Sequence, residues 1–119
     1  HGHSYKLFVT IIGDYSQTKE NNDSGMVLDF KSIKEIVEKN VIQEFDHAVV
    51  LCKKSSFASA LKQTNTKLIL FDNQPTCENL IMEFHKRISS ILPNGIKLAR
   101  LQLHETATSF AEWLIEDNE

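Results

Sequence analysis

The stretch PTCENLIMEFHKRISSILPNGIKLARLQLHE, Pro75 to Glu105, decides the fold. Thr76 can cap the free amides of a helix start. Glu78 puts a negative charge in the first turn, where the helix dipole favours one. Leu80, Ile81, Phe84, Ile88 and Ile91 then recur at helical spacing and predict a buried stripe. Pro93, Asn94 and Gly95 stop the helix. Ile96 to Leu103 reads as a strand. Its apolar phase flips between Leu98 and Leu101, which predicts a bulge or a segment buried on both faces.

The same reading extends outward in both directions. Phe110 to Ile115 is a last strand, reached by a turn around Thr106 to Ser109. On the other side, His1 to Ile12 reads as a strand: Tyr5, Leu7, Val9 and Ile11 alternate with the remaining residues, and the content is rich in strand formers. Phe8 and Ile12 fall out of that phase. Gly13 to Gly25 is polar and reads as an exposed loop. A first helix is expected from near Asp29, with Phe30, Ile33, Ile36, Val37 and Val41 on one face, ending before Phe45. Ser55 to Lys62 predicts a shorter helix, and Lys67 to Phe71 a brief strand. The order is strand, helix, short elements, helix, hairpin. That is an α+β layout, an antiparallel sheet with two main helices on one face. Such a sheet leaves unpaired edges and a partly apolar far face. Oligomerisation that closes several sheets into a barrel is expected to cover both.

Composition bounds the function. The chain has 119 residues, 41% of them hydrophobic, which fits one domain spanning 1–119 with a modest core. A formal net charge of -3 argues against a nucleic-acid binder held by bulk charge, and no nucleic-acid partner is expected. The two cysteines, Cys52 and Cys77, have no paired zinc-type spacing and read as reduced thiols. No apolar run reaches the roughly 18–20 residues that span a bilayer, and no signal peptide is visible. A cytoplasmic protein with no membrane partner is expected.

Four short motifs carry chemistry. In His1-Gly2-His3 the two imidazoles share one face of a strand, about 7 Å apart, and could converge on one metal ion. A catalytic zinc site takes three protein ligands, so the pair alone is incomplete, and read by itself it is better explained as two surface histidines or a tag remnant. Asp46-His47 sets a histidine beside a carboxylate, the makings of a proton shuttle. Read alone, it is an imidazolium at a helix C-terminus beside a solvated acid. Pro75-Thr76-Cys77-Glu78-Asn79 is a capped helix start that could also rim a polar pocket. Glu105 leaves an apolar strand, and its carboxylate suits a ring edge with adjacent N–H donors. Cys77, in a first turn, is better read as a small packing residue than as a thiolate nucleophile. His85 reads as packed or half-exposed. Lys53 and Lys54 are basic candidates for gripping phosphate, but a solvated face is the better reading.

The runs His1-Gly2-His3-Ser4-Tyr5, Gly25-Met26-Val27-Leu28-Asp29-Phe30, Phe45-Asp46-His47-Ala48, Pro75-Thr76-Cys77-Glu78-Asn79 and Glu105-Thr106-Ala107 occur in that order. Together they resemble the 6-pyruvoyltetrahydropterin synthase superfamily over nearly the whole chain, and its bacterial 6-carboxytetrahydropterin synthase branch most. The resemblance implies the tunnelling fold, in which subunits assemble into barrels, usually as a hexamer with active sites at subunit interfaces. It implies that His1 and His3 are two of three ligands to a zinc ion (Zn2+). Asp46 and His47 become the proton relay. Glu105 becomes pterin anchor and relay member, and Thr76 and Glu78 line the pterin pocket. The implied substrate is a pterin triphosphate, 7,8-dihydroneopterin triphosphate. The implied product is 6-carboxytetrahydropterin, a queuosine precursor, formed with loss of acetaldehyde and triphosphate. Elimination of triphosphate alone, as in 6-pyruvoyltetrahydropterin synthase, or a non-catalytic pterin-binding role are the alternatives. The family's third zinc histidine and its catalytic cysteine precede the HGH motif, so both, with the strand that carries them, are expected upstream of His1.

Overall fold

The computed structural model describes residues 4–13 and 30–117. Strand β1 (Lys6–Gly13) is the first described element, and a helical rod, α1, is the second. The rod runs as α-helix over Phe30–Val37, widens to a π-helix over Glu38–Ile42, and closes with an α-helical turn at Gln43–Phe45. Strand β2 (Val49–Cys52), helix α2 (Ser56–Lys62) and strand β3 (Leu68–Phe71) follow. Helix α3 (Cys77–Ile91), strands β4 (Ile96–His104) and β5 (Phe110–Leu114), and a 3-10 turn (Ile115–Asp117) complete the described chain.

The main sheet has the order β1-β4-β5, antiparallel throughout. Its core face is written by alternation. Leu7, Val9 and Ile11 stand opposite Leu103, Leu101 and Leu98, and Trp113 and Ala111 stand opposite Leu101 and Leu103 from the other side. These residues pack with Ile33, Val37 and Val41 of α1 and with Leu80, Ile81, Phe84 and Ile88 of α3. Ile88, Leu101, Leu103 and Val41 are the largest side chains fully removed from water. Burying each stabilises the fold by about 1.5–3 kcal/mol. The stripe on α3 is the one the sequence predicts as far as Ile88, while Ile91 in the last turn is only half-buried, and Thr76 caps the helix by accepting from the Asn79 amide at 3.1 Å.

The phase flip in β4 is a bulge. Thr10 pairs with Arg100 and Ile11 with Leu98, so Ala99 has no partner on β1. The extra residue lets Ile96 and Leu98 face the core together with Leu101 and Leu103. Phe8 and Ile12, out of phase with the core face, are indeed exposed, at 53% and 47%.

Two features differ from the sequence reading. Helix α1 does not end before Phe45 but includes it, with the π-helical stretch intervening. Phe45 stays because its ring packs edge-on against Phe84 and Phe71, with centroids 4.9 and 6.2 Å away. In addition, β2 and β3 form a separate parallel pair joined through α2, so the strand around Leu68 does not join the antiparallel sheet. The helix between them is what a parallel connection requires. The expected helix start at Asp29 and the Gly13–Gly25 loop, apart from Gly13 at the end of β1, lie outside the described residues.

Candidate active site

One end of the main sheet gathers several of the motif residues. Lys6 pairs with His104 in the β1–β4 register, which sets Tyr5 beside the end of β4, where Glu105 emerges. Helix α3 starts against the same end, since the Cys77 thiol donates to the Leu103 carbonyl across 3.3 Å. The electrostatics confirm the grouping. Burial raises the Tyr5 phenol above its usual range, and the Glu105 carboxylate and Cys77 raise it further. Burial likewise raises the Cys77 thiol, against a lowering backbone hydrogen bond at Ala111, and Glu78 and Glu105 add to the rise. Tyr5, Cys77, Glu78 and Glu105 therefore share one electrostatic neighbourhood. Burial thus works against a thiolate at this helix start, and Cys77 packs against the core, as its sequence context predicts.

The turn beyond β4 is built locally. The Glu105 and Thr106 amides donate to the Ser109 carbonyl at 3.0 and 3.3 Å, and the Thr106 hydroxyl accepts from the Ser109 amide at 3.0 Å. This turn and the start of β1 line a cleft of about 360 Å³, walled by Ser4, Lys6, Phe8, His104, Glu105 and Thr106. One wall is aromatic. His104 stacks on Phe110, with centroids 4.7 Å apart, and meets Phe8 edge-on at 5.1 Å. A flat heterocycle could lie on such a wall with its hydrogen-bonding edge toward the Glu105 carboxylate. No motif singles out Phe8 or Phe110; the out-of-phase position of Phe8 on its strand is the one signal available in the sequence. A larger groove, about 480 Å³, lies between β3 and α3. Arg87 in its wall is already engaged by Glu83 and Glu44, and of the five motif runs only Asn79 reaches its lining.

The second group of motif residues sits elsewhere. Asp46 and His47 form the turn after α1. The His47 Nδ1 lies 3.0 Å from the Asp46 carboxylate, and both side chains are well exposed. His47 has φ 58, in the left-handed region that a β-carbon disfavours. Phe45 at the adjoining helix end packs against Phe84, with the Arg87 guanidinium 4.9 Å over its ring. Those positions are two to three turns along α3 from Cys77, about 10–15 Å at the helical rise. Among the described residues, the structure thus brings Thr76, Glu78 and Glu105 to one end of the molecule and does not bring Asp46 and His47 to them.

The expected zinc ligands His1 and His3 lie outside the described residues, and among the described residues no group of three His, Cys, Asp or Glu side chains converges. The remaining candidates resolve as structure. His85 lies against Trp113, with ring centroids 4.1 Å apart. Lys53 is paired with Asp72 at 2.8 Å on the exposed surface. No described helix is long and apolar enough to cross a membrane.

The fold and this cluster define an α+β domain in which a capped helix start and a carboxylate-bearing strand end meet at one end of the sheet. Comparison with known proteins gives that class its family. The family model described as 6-pyruvoyl tetrahydropterin synthase matches residues 1–116. The chain is 32% identical over 117 residues to the 6-carboxy-5,6,7,8-tetrahydropterin synthase of Haemophilus influenzae, covering 95% of this chain and 80% of that protein. It is 34% identical over 123 residues to the protein of the same name from Aquifex aeolicus, covering 95% and 72%. It is 27% identical over 107 residues to the 6-pyruvoyl tetrahydrobiopterin synthase of Pongo abelii, covering 89% and 60%. The chain belongs to the 6-pyruvoyl tetrahydropterin synthase family, and its type is that of a lyase.

Proposed function

We propose that this protein converts 7,8-dihydroneopterin triphosphate to 6-carboxy-5,6,7,8-tetrahydropterin, with loss of acetaldehyde and triphosphate, as a step toward queuosine. The observation that carries the reading is the position of Glu105: it follows the buried strand where that strand meets the capped start of α3, and it helps line an aromatic cleft. There it would accept two N–H bonds from the amino-pyrimidinone edge of a pterin, and Thr76 and Glu78, at the start of α3, would line the pterin pocket. Relatives named for the 6-carboxy product favour that outcome. The family model's own description and the Pongo abelii relative favour the alternative, triphosphate elimination giving 6-pyruvoyltetrahydropterin.

His1 and His3 would hold a zinc ion. Imidazole donors suit zinc, and the pair would fill two of the three protein positions of an open catalytic site. Zinc, when bound, supplies Lewis-acid polarisation of the substrate's side-chain hydroxyls. His47, oriented by the Asp46 carboxylate, would carry protons to and from the side-chain carbons. In one protomer, however, this relay stands apart from Glu105. A complete site would therefore combine the Glu105 cleft of one subunit with the Asp46–His47 turn of another. The open sheet face supports assembly, because Phe8, Ile12 and Phe110 leave apolar surface in water there. A cytoplasmic homo-oligomer built as a closed barrel, each subunit being a single pterin-binding domain, accommodates both facts.

Mass spectrometry of the products from 7,8-dihydroneopterin triphosphate tests the reaction. Acetaldehyde and the 6-carboxy product are expected, whereas a 6-pyruvoyl product would assign the alternative. Glu105→Gln is expected to weaken pterin binding by about 10- to 100-fold, the worth of a charge-assisted hydrogen bond. Unchanged pterin binding in that variant, together with a zinc-free protein, would sink the enzyme reading.

A further inference from the structure

The Asp46–His47 turn is held by a side chain from outside its own helix. Lys67 stands just ahead of β3, and its backbone carbonyl accepts from the Val49 amide at 2.8 Å, which ties it to the start of β2. Its ammonium donates to the Gln43 carbonyl and, at 2.9 Å, to the Asp46 carbonyl. Gln43 lies in the last turn of α1 and Asp46 is its C-cap. Helix-end carbonyls lack intrahelical donors and carry the negative end of the helix dipole, so an ammonium placed there satisfies both needs.

The next residue is the left-handed His47. A left-handed residue commonly ends a helix, but glycine is the usual occupant, because a β-carbon is strained there. Here the chain keeps an imidazole at that position. Packing does not hold it, since the side chains of His47 and Asp46 are 90% and 62% exposed. Their placement depends on the backbone beneath them. That backbone is fixed by the Asp46 amide on the Ile42 carbonyl at 2.7 Å, the Ala48 amide on the Phe45 carbonyl at 3.1 Å, and the Lys67 ammonium.

We propose that Lys67 is a positioning residue for the Asp46–His47 relay: its ammonium clamps the two carbonyls that end the first helix and fixes the left-handed turn that presents the imidazole. The inference rests on the relay role proposed above for His47. It adds a residue that touches neither substrate nor metal.

The test compares Lys67→Met, Lys67→Arg, His47→Ala and the Lys67→Met/His47→Ala double variant in the full-length protein, assayed with 7,8-dihydroneopterin triphosphate. Lys67→Met is expected to lower kcat by about tenfold, with KM within about twofold and zinc content unchanged, as a small misplacement of a reacting group does. Lys67→Arg, which keeps charge and donors, should recover part of that loss. The double variant should be no slower than His47→Ala, because the clamp acts through the imidazole. Independently of activity, the HN–Hα coupling and Cα shift of His47 should leave their left-handed values in Lys67→Met. Should Lys67→Met not fold, Lys67→Gln takes its place. Additive losses in the double variant, an unchanged kcat in Lys67→Met, or an unmoved His47 coupling would each overturn the inference and leave the relay standing. Full turnover in His47→Ala would remove the relay reading itself, and the inference with it.

Discussion

Deleting Ala99 should be tolerated, whereas deleting Gln102, three residues on in the same strand, should not. In β4, Ala99 is the residue without a partner on β1, between Leu98 opposite Ile11 and Arg100 opposite Thr10. Removing it joins Leu98 directly to Arg100. Strict alternation then still puts Ile96, Leu98, Leu101 and Leu103 on the core face and Lys97 and Arg100 on the open one. No core side chain is lost, so the change in unfolding free energy should stay below about 1 kcal/mol, small beside the roughly 6–18 kcal/mol of a domain this size. Gln102 separates Leu101 from Leu103 in a regular stretch, so its deletion forces one side of the strand to flip. Turning out Leu103 costs about 1.5–3 kcal/mol of burial. Turning out Leu101, Leu98 and Ile96 costs about 4.5–9 kcal/mol. The cheaper choice also rotates the end of the strand, and with it Glu105. Urea unfolding followed by the fluorescence of Trp113, with the slope checked for constancy, measures both variants. If the Ala99 deletion costs as much as the Gln102 deletion, the bulge is not the extra residue assigned here and the register argument fails.

Two further outcomes are expected. His85, against Trp113, is held below its usual 6.5 by burial, so the folded state binds its proton less readily than the unfolded chain does. Its contribution to stability is present above pH 6.5 and is lost as pH falls through the lowered value. Urea midpoints should therefore fall between pH 7.5 and 5, and His85→Phe should flatten that dependence; an unaltered slope in the variant would contradict the assignment. Cys77→Ser should retain turnover, and the native Cys77 thiol should react slowly with iodoacetamide near neutral pH, because burial keeps it protonated. Fast alkylation accompanied by loss of activity would restore Cys77 as a candidate nucleophile.

What the sequence made legible follows from how strongly each element is patterned. Helix α3 carries a cap, a stripe and a Pro-Asn-Gly stop that all agree, and four of the five expected stripe residues, all but Ile91, are buried. Strand β2 was missed because Val49 to Cys52 is a four-residue apolar run, too short for periodicity to separate strand from buried helix. The parallel pairing of β3 was missed with it. For the site, Glu105, Thr76 and Glu78 fall together because one strand end and one helix start meet through Cys77 and Leu103. The distance of Asp46 and His47 from them was not legible. Motif order records that five segments belong to one family, not which of them share a site within a single subunit.

The bulge and the π-helix are the same device in two elements, and only one was readable. Each element carries one residue more than its regular form would hold. In a strand the side-chain period is two, so one extra residue sends every later side chain to the opposite face, and the apolar pattern shows the break between Leu98 and Leu101. In a helix a single residue turns the stripe by only about 100°, and a stripe of comparable width absorbs the offset. Val37, Val41 and Phe45 are spaced by four, which in an unbroken α-helix drifts about 40° at each step. The wider turn over Glu38–Ile42 takes up that drift, so Val41 is fully buried while Phe45 still reaches Phe84. A spacing of four fits an ordinary helix as well, so nothing in the sequence marks the wider turn. Yet it sets the angle at which the chain arrives at Asp46 and His47. The Asp46–His47 turn is therefore aimed by the π-helical stretch before it and held by the Lys67 ammonium from outside its helix, and neither lies within the Phe45–Ala48 run.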